Sequence, residues 1–150
     1  MKATDLLKKQ HRHVKGLFKQ VEKTEDSRGR RNLMEQIAHA LKVHTQLEEK
    51  VFYPAVAELG SQKAQEMVME AVEEHHVVDL VLAELPKVDP EDDRFEAKMT
   101  VLKELIEHHV EEEESEMFKL AQKLGTEELK ELGERMDEMA ERMGGQRQAA

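Results

Sequence analysis

Two stretches of this sequence place reactive side chains at a repeated spacing: His44-Thr45-Gln46-Leu47-Glu48 and His109-Val110-Glu111-Glu112-Glu113. Each sets an imidazole and a carboxylate four residues apart on a run whose apolar periodicity predicts a helix, where such pairs share one face. The echo continues past the pair. Glu49 and Tyr53 follow the first, Glu114 and Phe118 the second, so H-x3-E-E-x3-aromatic occurs twice. Neutral imidazole and ionised carboxylate are both metal donors, and a ligand pair in two copies suggests a site for two ions.

Lone histidines extend the repeat. Gln10-His11-Arg12-His13-Val14 can be laid over Glu74-His75-His76-Val77-Val78 at an offset of 64 residues, and His44 over His109 at 65. Nearly equal offsets imply two helical hairpins related by a pseudo-twofold axis, each giving one lone histidine and one H-x3-E pair. The predicted ligand set is His11, His44, Glu48, His75, His109 and Glu113.

The elements that must position these groups follow from periodicity and punctuation. A first helix begins near Thr4 or Asp5, with Leu7, Val14, Phe18 and Val21 in a stripe that His11 completes, and ends in a turn over residues 24–29. A second is expected from Arg31 to Leu59, with Ile37, Leu41, His44, Glu48, Val51 and Ala55 along its seam and a kink at Pro54. Gly60-Ser61 stops it and caps a third, carrying Ala64, Val68, Ala71, His75, Val78, Leu82 and Leu85. After the break at Pro86 to Pro90, where Asp89 can cap, a fourth helix carries Phe95, Met99, Leu102, Ile106, His109, Glu113, Met117, Leu120 and Leu124. His11 and His44 lie at similar distances from the first turn, as antiparallel neighbours require. His109, 19 residues past Pro90, fits worse: either this helix overhangs or Glu91 to Arg94 belong to the loop.

The expected fold is all-α: an antiparallel up-down-up-down four-helix bundle over residues 1–125, followed over 126–150 by a short amphipathic helix and a frayed tail. Leu129, Leu132, Met136, Met139 and Met143 form that helix's stripe, either docking on the bundle or making a dimer. Composition agrees. Of 150 residues 39% are hydrophobic and 37% charged, with seven Gly, three Pro and no Trp, which suits long amphipathic helices in one domain.

The same composition excludes several functions. A net charge of -10 disfavours nucleic acid and anionic lipid. The densest basic run, Arg28-Gly29-Arg30-Arg31, has no aromatic for base stacking and is expected to be a solvated loop. No apolar run reaches the roughly 20 residues that span a bilayer, so a cytoplasmic location is expected. With no cysteine, any metal must be held by nitrogen and oxygen.

A single histidine on an apolar seam is ordinarily a satisfied core residue. Six ionisable groups at one level are different. Burying two carboxylates and four imidazoles without a cation would cost several kcal/mol per unpaired charge, against about 5 to 15 kcal/mol of net domain stability. A metal cluster removes the conflict, with Glu48 and Glu113 each able to bridge two ions. His13, His76, His108, Glu49 and Glu114 are expected in a supporting layer or on the surface.

In these residues, from about Leu6 to Leu124, the sequence resembles the hemerythrin-like HHE cation-binding family. The H…HxxxE…H…HxxxE order carries the resemblance; ferritin-like bundles instead use Glu-x-x-His on two helices. The resemblance implies a non-haem di-iron centre with an oxygen-atom bridge that binds O2, NO or peroxide. It implies a dry pocket with candidate walls at Val14, Phe18, Leu41, Phe52, Leu82 and Phe118. One departure stands out. Oxygen carriers of the family have a fifth histidine four residues after the first on the third helix, where this chain has Asp79. Both irons would then be five-coordinate and open, unless His76, His108 or a further carboxylate completes one.

The expectation is therefore a di-iron protein that binds O2 or a related small ligand for carriage, storage or sensing, as a monomer or a dimer through the C-terminal helix. The alternatives are a peroxide- or NO-consuming di-iron enzyme and a structural or partner-binding bundle holding zinc or another divalent ion.

Overall fold

A computed structural model describes residues 1–144; the expected tail beyond Gly144 lies outside the described residues. The chain forms α1 (Ala3–Lys23), α2 (Ser27–Leu47), α3 (Tyr53–Ala57), α4 (Gln62–Glu84), α5 (Asp93–Glu112), α6 (Phe118–Ala121) and α7 (Thr126–Arg142). Each H-x3-E pair ends in a π-helical turn, over Glu48–Phe52 and over Glu113–Met117, which joins α2 to α3 and α5 to α6 as continuous, bent helices. Counting α2–α3 and α5–α6 as one helix each, four long helices make the bundle and α7 is the fifth. Strands are absent among the described residues, and no helix there is long and apolar enough to cross a membrane.

The core is split. One cluster includes Leu7 of α1, Leu47 of α2, Ala71 of α4 and Met117 beside α6; the other takes Val14, Leu41, Val78 and Leu102 of the same four long helices. On every helix a predicted ligand lies between the two: His11, His44, His75 and His109. The bundle is thus apolar, then polar in one layer, then apolar again. That stacking excludes water from the layer and holds its side chains against rigid neighbours.

Several boundaries differ from those expected. Arg28 to Arg31 are helical, because Asp26 caps α2 by accepting from the Gly29 N–H at 2.8 Å. Nor is this run a solvated loop: Arg31 donates to the carbonyls of Pro86 and Val88, and Arg30 to that of Pro90, tying the two hairpin turns together. At the fourth helix Asp92 is the cap and Asp89 folds an Asx turn onto Glu91, so Glu91 and Asp92 belong to the loop and the height mismatch of His109 shrinks. Ser61 caps α4 as expected. The first helix starts at Ala3 without a side-chain cap. Packing against α7 holds that end instead: Gly133 lies so close to it that a Cβ there would meet the Met1 carbonyl oxygen at 2.1 Å.

The expected kink at Pro54 is a π turn, and its twin at Glu113–Met117 has Lys119 where the first has Pro54. Proline is therefore not the common cause. What the turns share is a buried glutamate at the first position, and π turns inside α-helices are frequent at functional sites.

The stripe of α7 is inside the molecule, with Leu129, Leu132 and Met136 buried against α1 and α2. Gly125, at φ +90°, makes the turn that lets α7 fold back.

Candidate metal centre

All six predicted residues meet in the middle layer, and all are at least 93% buried: His11, His44, Glu48, His75, His109 and Glu113. They form two quartets that share both glutamates, one adding His11 and His44, the other His75 and His109. The Nε2 atoms face inward. His11 Nε2 lies 3.2 Å from His44 Nε2, and His75 Nε2 lies 3.1 Å from His109 Nε2. Such separations match the edge between neighbouring ligands around one cation with bonds of about 2.1 Å.

The carboxylates complete the case for a cation. Glu48 Oε2 is buried and accepts no hydrogen bond, and Glu113 Oε1, also buried, has His11 Nε2 3.2 Å away as an ion-pair neighbour. A buried carboxylate oxygen without a donor costs about 1–3 kcal/mol or more, a cost that a cation held by that oxygen would remove. The donor set of imidazole nitrogen and carboxylate oxygen, free of sulfur, suits iron, zinc or manganese. The residues present therefore fit a metal site.

Outward, each imidazole is oriented through Nδ1. His11 faces Glu114 at 2.7 Å, His44 Gln10 at 2.6 Å, His75 Glu49 at 2.7 Å and His109 Glu74 at 2.7 Å. Glu49 and Glu114 thus act in the supporting layer, each reaching across to the lone histidine of the other hairpin. Among the remaining candidates, His13 and His76 are exposed and reach no ligand position. His108 faces outward, 3.2 Å from Glu112 and 3.6 Å from Glu74, and is 64% exposed. Asp79, at the place of the carriers' fifth histidine, is exposed as well.

What sequence reasoning missed is Tyr53. Its hydroxyl sits in the layer, donating to Glu113 and lying 3.2 Å from Glu48 Oε1, His75 Nε2 and His109 Nε2. The fifth polar group on that side is therefore a phenol, at the same edge distance as the other donors. The signal was present in the repeat: Tyr53 and Phe118 hold equivalent places after the two pairs, but only Tyr53 carries a hydroxyl. Phe118 instead stacks on His11, ring centroids 6.1 Å apart. The centre is consequently asymmetric.

Protonation follows from this geometry. Burial works against a charge on His11, His75 and His109, yet the carboxylates of Glu113, Glu48 and their outer partners overcome it and hold all three above the usual imidazole range. Burial would raise Glu48, but the charge on His44 and hydrogen bonds within the layer bring it well below the usual carboxylate range. Burial and the two glutamates raise the Tyr53 phenol, so it stays protonated. His11, His75 and His109 therefore hold a proton more firmly than a free imidazole does.

The layer has two faces. Tyr53, Phe52 and Phe118 close the carboxylate side, with Phe52 edge-on to Phe118 at 5.6 Å. On the imidazole side lies a cavity of about 20 Å³ with Val14, Leu41, Val78, Ile106 and Val110 as its apolar walls. Of the expected walls, Val14 and Leu41 line it. Phe18 belongs to a larger external groove, Leu82 packs in the neighbouring cluster, and Phe52 and Phe118 lie on the other face because the π turns carry them there.

Known proteins place this geometry in context. Residues 2–121 match the profile of the Hemerythrin HHE cation binding domain. Uncharacterized proteins of Mycobacterium tuberculosis and Mycobacterium bovis are each 29% identical over 148 residues, covering 97% of this chain and 89% of theirs. A DNA nickase of Nostoc is 27% identical over 119 residues, which is 33% of that protein. The crystal structure of a hemerythrin HHE cation binding domain-containing protein from Mycobacterium kansasii superposes with a TM-score of 0.83 at 26% identity, covering 96% of this chain and 88% of that one. With the profile spanning nearly all of the bundle and the solved fold superposing on it, the chain belongs to the hemerythrin HHE cation-binding domain family.

Proposed function

We propose that the protein holds two iron ions between the shared glutamates and binds O2, or a related small ligand such as NO or peroxide, from the imidazole face. His11 and His44 would hold one ion, His75 and His109 the other, with Glu48 and Glu113 bridging. Iron bound there would supply the electrons for reversible or net reduction of the ligand. The chain supplies the rest. Val14, Leu41, Val78, Ile106 and Val110 keep the open side dry, and the outer carboxylates fix each imidazole with Nε2 inward.

The observation that carries this reading is the cavity of about 20 Å³ above the four imidazoles. It has room for about one water or one diatomic molecule, and its apolar walls favour the latter. A larger organic substrate does not fit. Aerobic loading with ferrous iron is expected to give two irons per chain and a visible charge-transfer band that azide changes. Iron-loaded protein that stays colourless would count against it.

Tyr53 supports a second reading, net consumption of peroxide or NO. Its hydroxyl donates to Glu113 within the layer, so a phenol proton stands among the residues that would hold the ions, on the carboxylate side of the layer. Turnover by the reduced protein, lost in Tyr53→Phe with two irons retained, selects this reading; binding without net consumption selects the carrier. A monomer in the cytoplasm completes the proposal; the α7 stripe, occupied by the chain's own bundle, supports the monomer.

A further inference from the structure

The repeat that builds the centre is broken at one supporting position. Under it, Glu114 on His11 corresponds to Glu49 on His75, a carboxylate in both places. The other pair corresponds just as closely in space: Gln10 faces His44 at 2.6 Å, and Glu74 faces His109 at 2.7 Å. There the chemistry differs. Gln10 offers a neutral amide oxygen where Glu74 offers a carboxylate.

That difference falls on one ion. A carboxylate acceptor on the outer nitrogen draws the proton toward itself and makes the inner nitrogen a stronger donor to a cation. An amide does so less. The His75/His109 position has both imidazoles backed by carboxylates, Glu49 and Glu74, whereas the His11/His44 position has only Glu114. Exposure does not compensate: Glu74 is 23% exposed, less than Glu49 at 33% or Glu114 at 37%. The strongest backing is therefore on the same side as the Tyr53 hydroxyl.

We propose that the two positions fill in order, His75/His109 first and at least about 10-fold tighter, and that Gln10 is the residue that leaves the His11/His44 ion weaker and easier to lose. Gln10 and Glu74 are positioning residues, acting through His44 and His109. The inference rests on the two-metal reading above.

Cobalt(II) titration of the metal-free full chain, followed by calorimetry and by the visible ligand-field bands, tests it. The unaltered chain should take up two ions in separated phases. His44→Ala should remove the weaker phase and His109→Ala the tighter. Gln10→Glu should strengthen the weaker phase and narrow the gap to about 3-fold or less, while Glu74→Gln should weaken the tighter phase by about 10-fold or more. Gln10→Glu leaves Tyr53 in place, so a narrowed gap belongs to position 10. Two ions with equal constants, or a gap that Gln10→Glu does not change while thermal melts show folded protein, overturns the inference alone. Fewer than two ions per unaltered chain overturns the two-metal reading and the inference with it.

Discussion

Metal loading should expel protons, because the layer's electrostatics hold them on buried imidazoles. In the metal-free chain His11, His75 and His109 are held above the ordinary imidazole range by Glu113, Glu48 and the outer carboxylates. Near pH 7 the protons that these rings hold are ones a cation must displace. Glu48, held low, is already ionised there and releases none. Protons should therefore leave as metal binds, and each one released makes apparent affinity about 10-fold more sensitive per pH unit, or about 1.4 kcal/mol.

The signs for the two states are opposite. A raised imidazole stabilises the metal-free fold fully below its unfolded value of about 6.5, and that share is lost as pH climbs through the folded value. The depressed Glu48 adds stability above about 4.5, lost as pH falls through its lower folded value. The metal-free chain is thus favoured by mild acid, and the metal-loaded chain by mild base. Calorimetric titration with zinc in buffers of differing ionisation enthalpy counts the protons. Thermal melts between about pH 6 and 8 should show a metal-induced gain in Tm that grows with pH. Release of fewer than about one proton, or a gain independent of pH, would refute the electrostatic reasoning.

Three further outcomes are expected. Tyr53→Phe removes the one hydroxyl donor to Glu113 within the layer and should lower metal-free stability by about 1–3 kcal/mol in chemical denaturation; an unchanged midpoint would mean that the hydroxyl contributes nothing there. Val78→Leu intrudes on the cavity and should slow or weaken azide binding to the iron-loaded protein while iron content is kept; unaltered azide kinetics would place ligand binding elsewhere. Gly133→Ala puts a methyl against the Met1 carbonyl and the Ala3 nitrogen, 2.9 Å away in the second case, and should cost about 1–3 kcal/mol. A neutral result in urea unfolding would mean that α7 shifts freely on α1.

The six ligand candidates were legible because regular helices translate spacing into direction. His44 and Glu48, or His109 and Glu113, are one turn apart whatever surrounds them, and the matching offsets carried the repeat. Tyr53 was not legible for the converse reason. On an unbroken α-helix it lies about 140° round from Glu48, off the seam. The π turn bonds the Tyr53 N–H to the Glu48 carbonyl, five residues back, which brings the phenol round to the glutamate's side. Nothing in a 3.6-residue periodicity announces such a turn. The helix boundaries that moved did so for local or long-range reasons: Asp26 outcompeted the expected turn at Arg28 to Arg31, and the arginines found carbonyls on a loop 55 to 60 residues away.

The seating of α7 on α1 has a consequence for how the protein is made. Residues at the two ends of the described chain touch, so α1 has no cover on one flank until the stretch 126–142 has been synthesised. At roughly 5–20 residues per second on the ribosome, α1 waits for several seconds as an amphipathic helix without that cover. His11 rides on that helix. The first hairpin becomes a firm platform only when translation has passed the final helix.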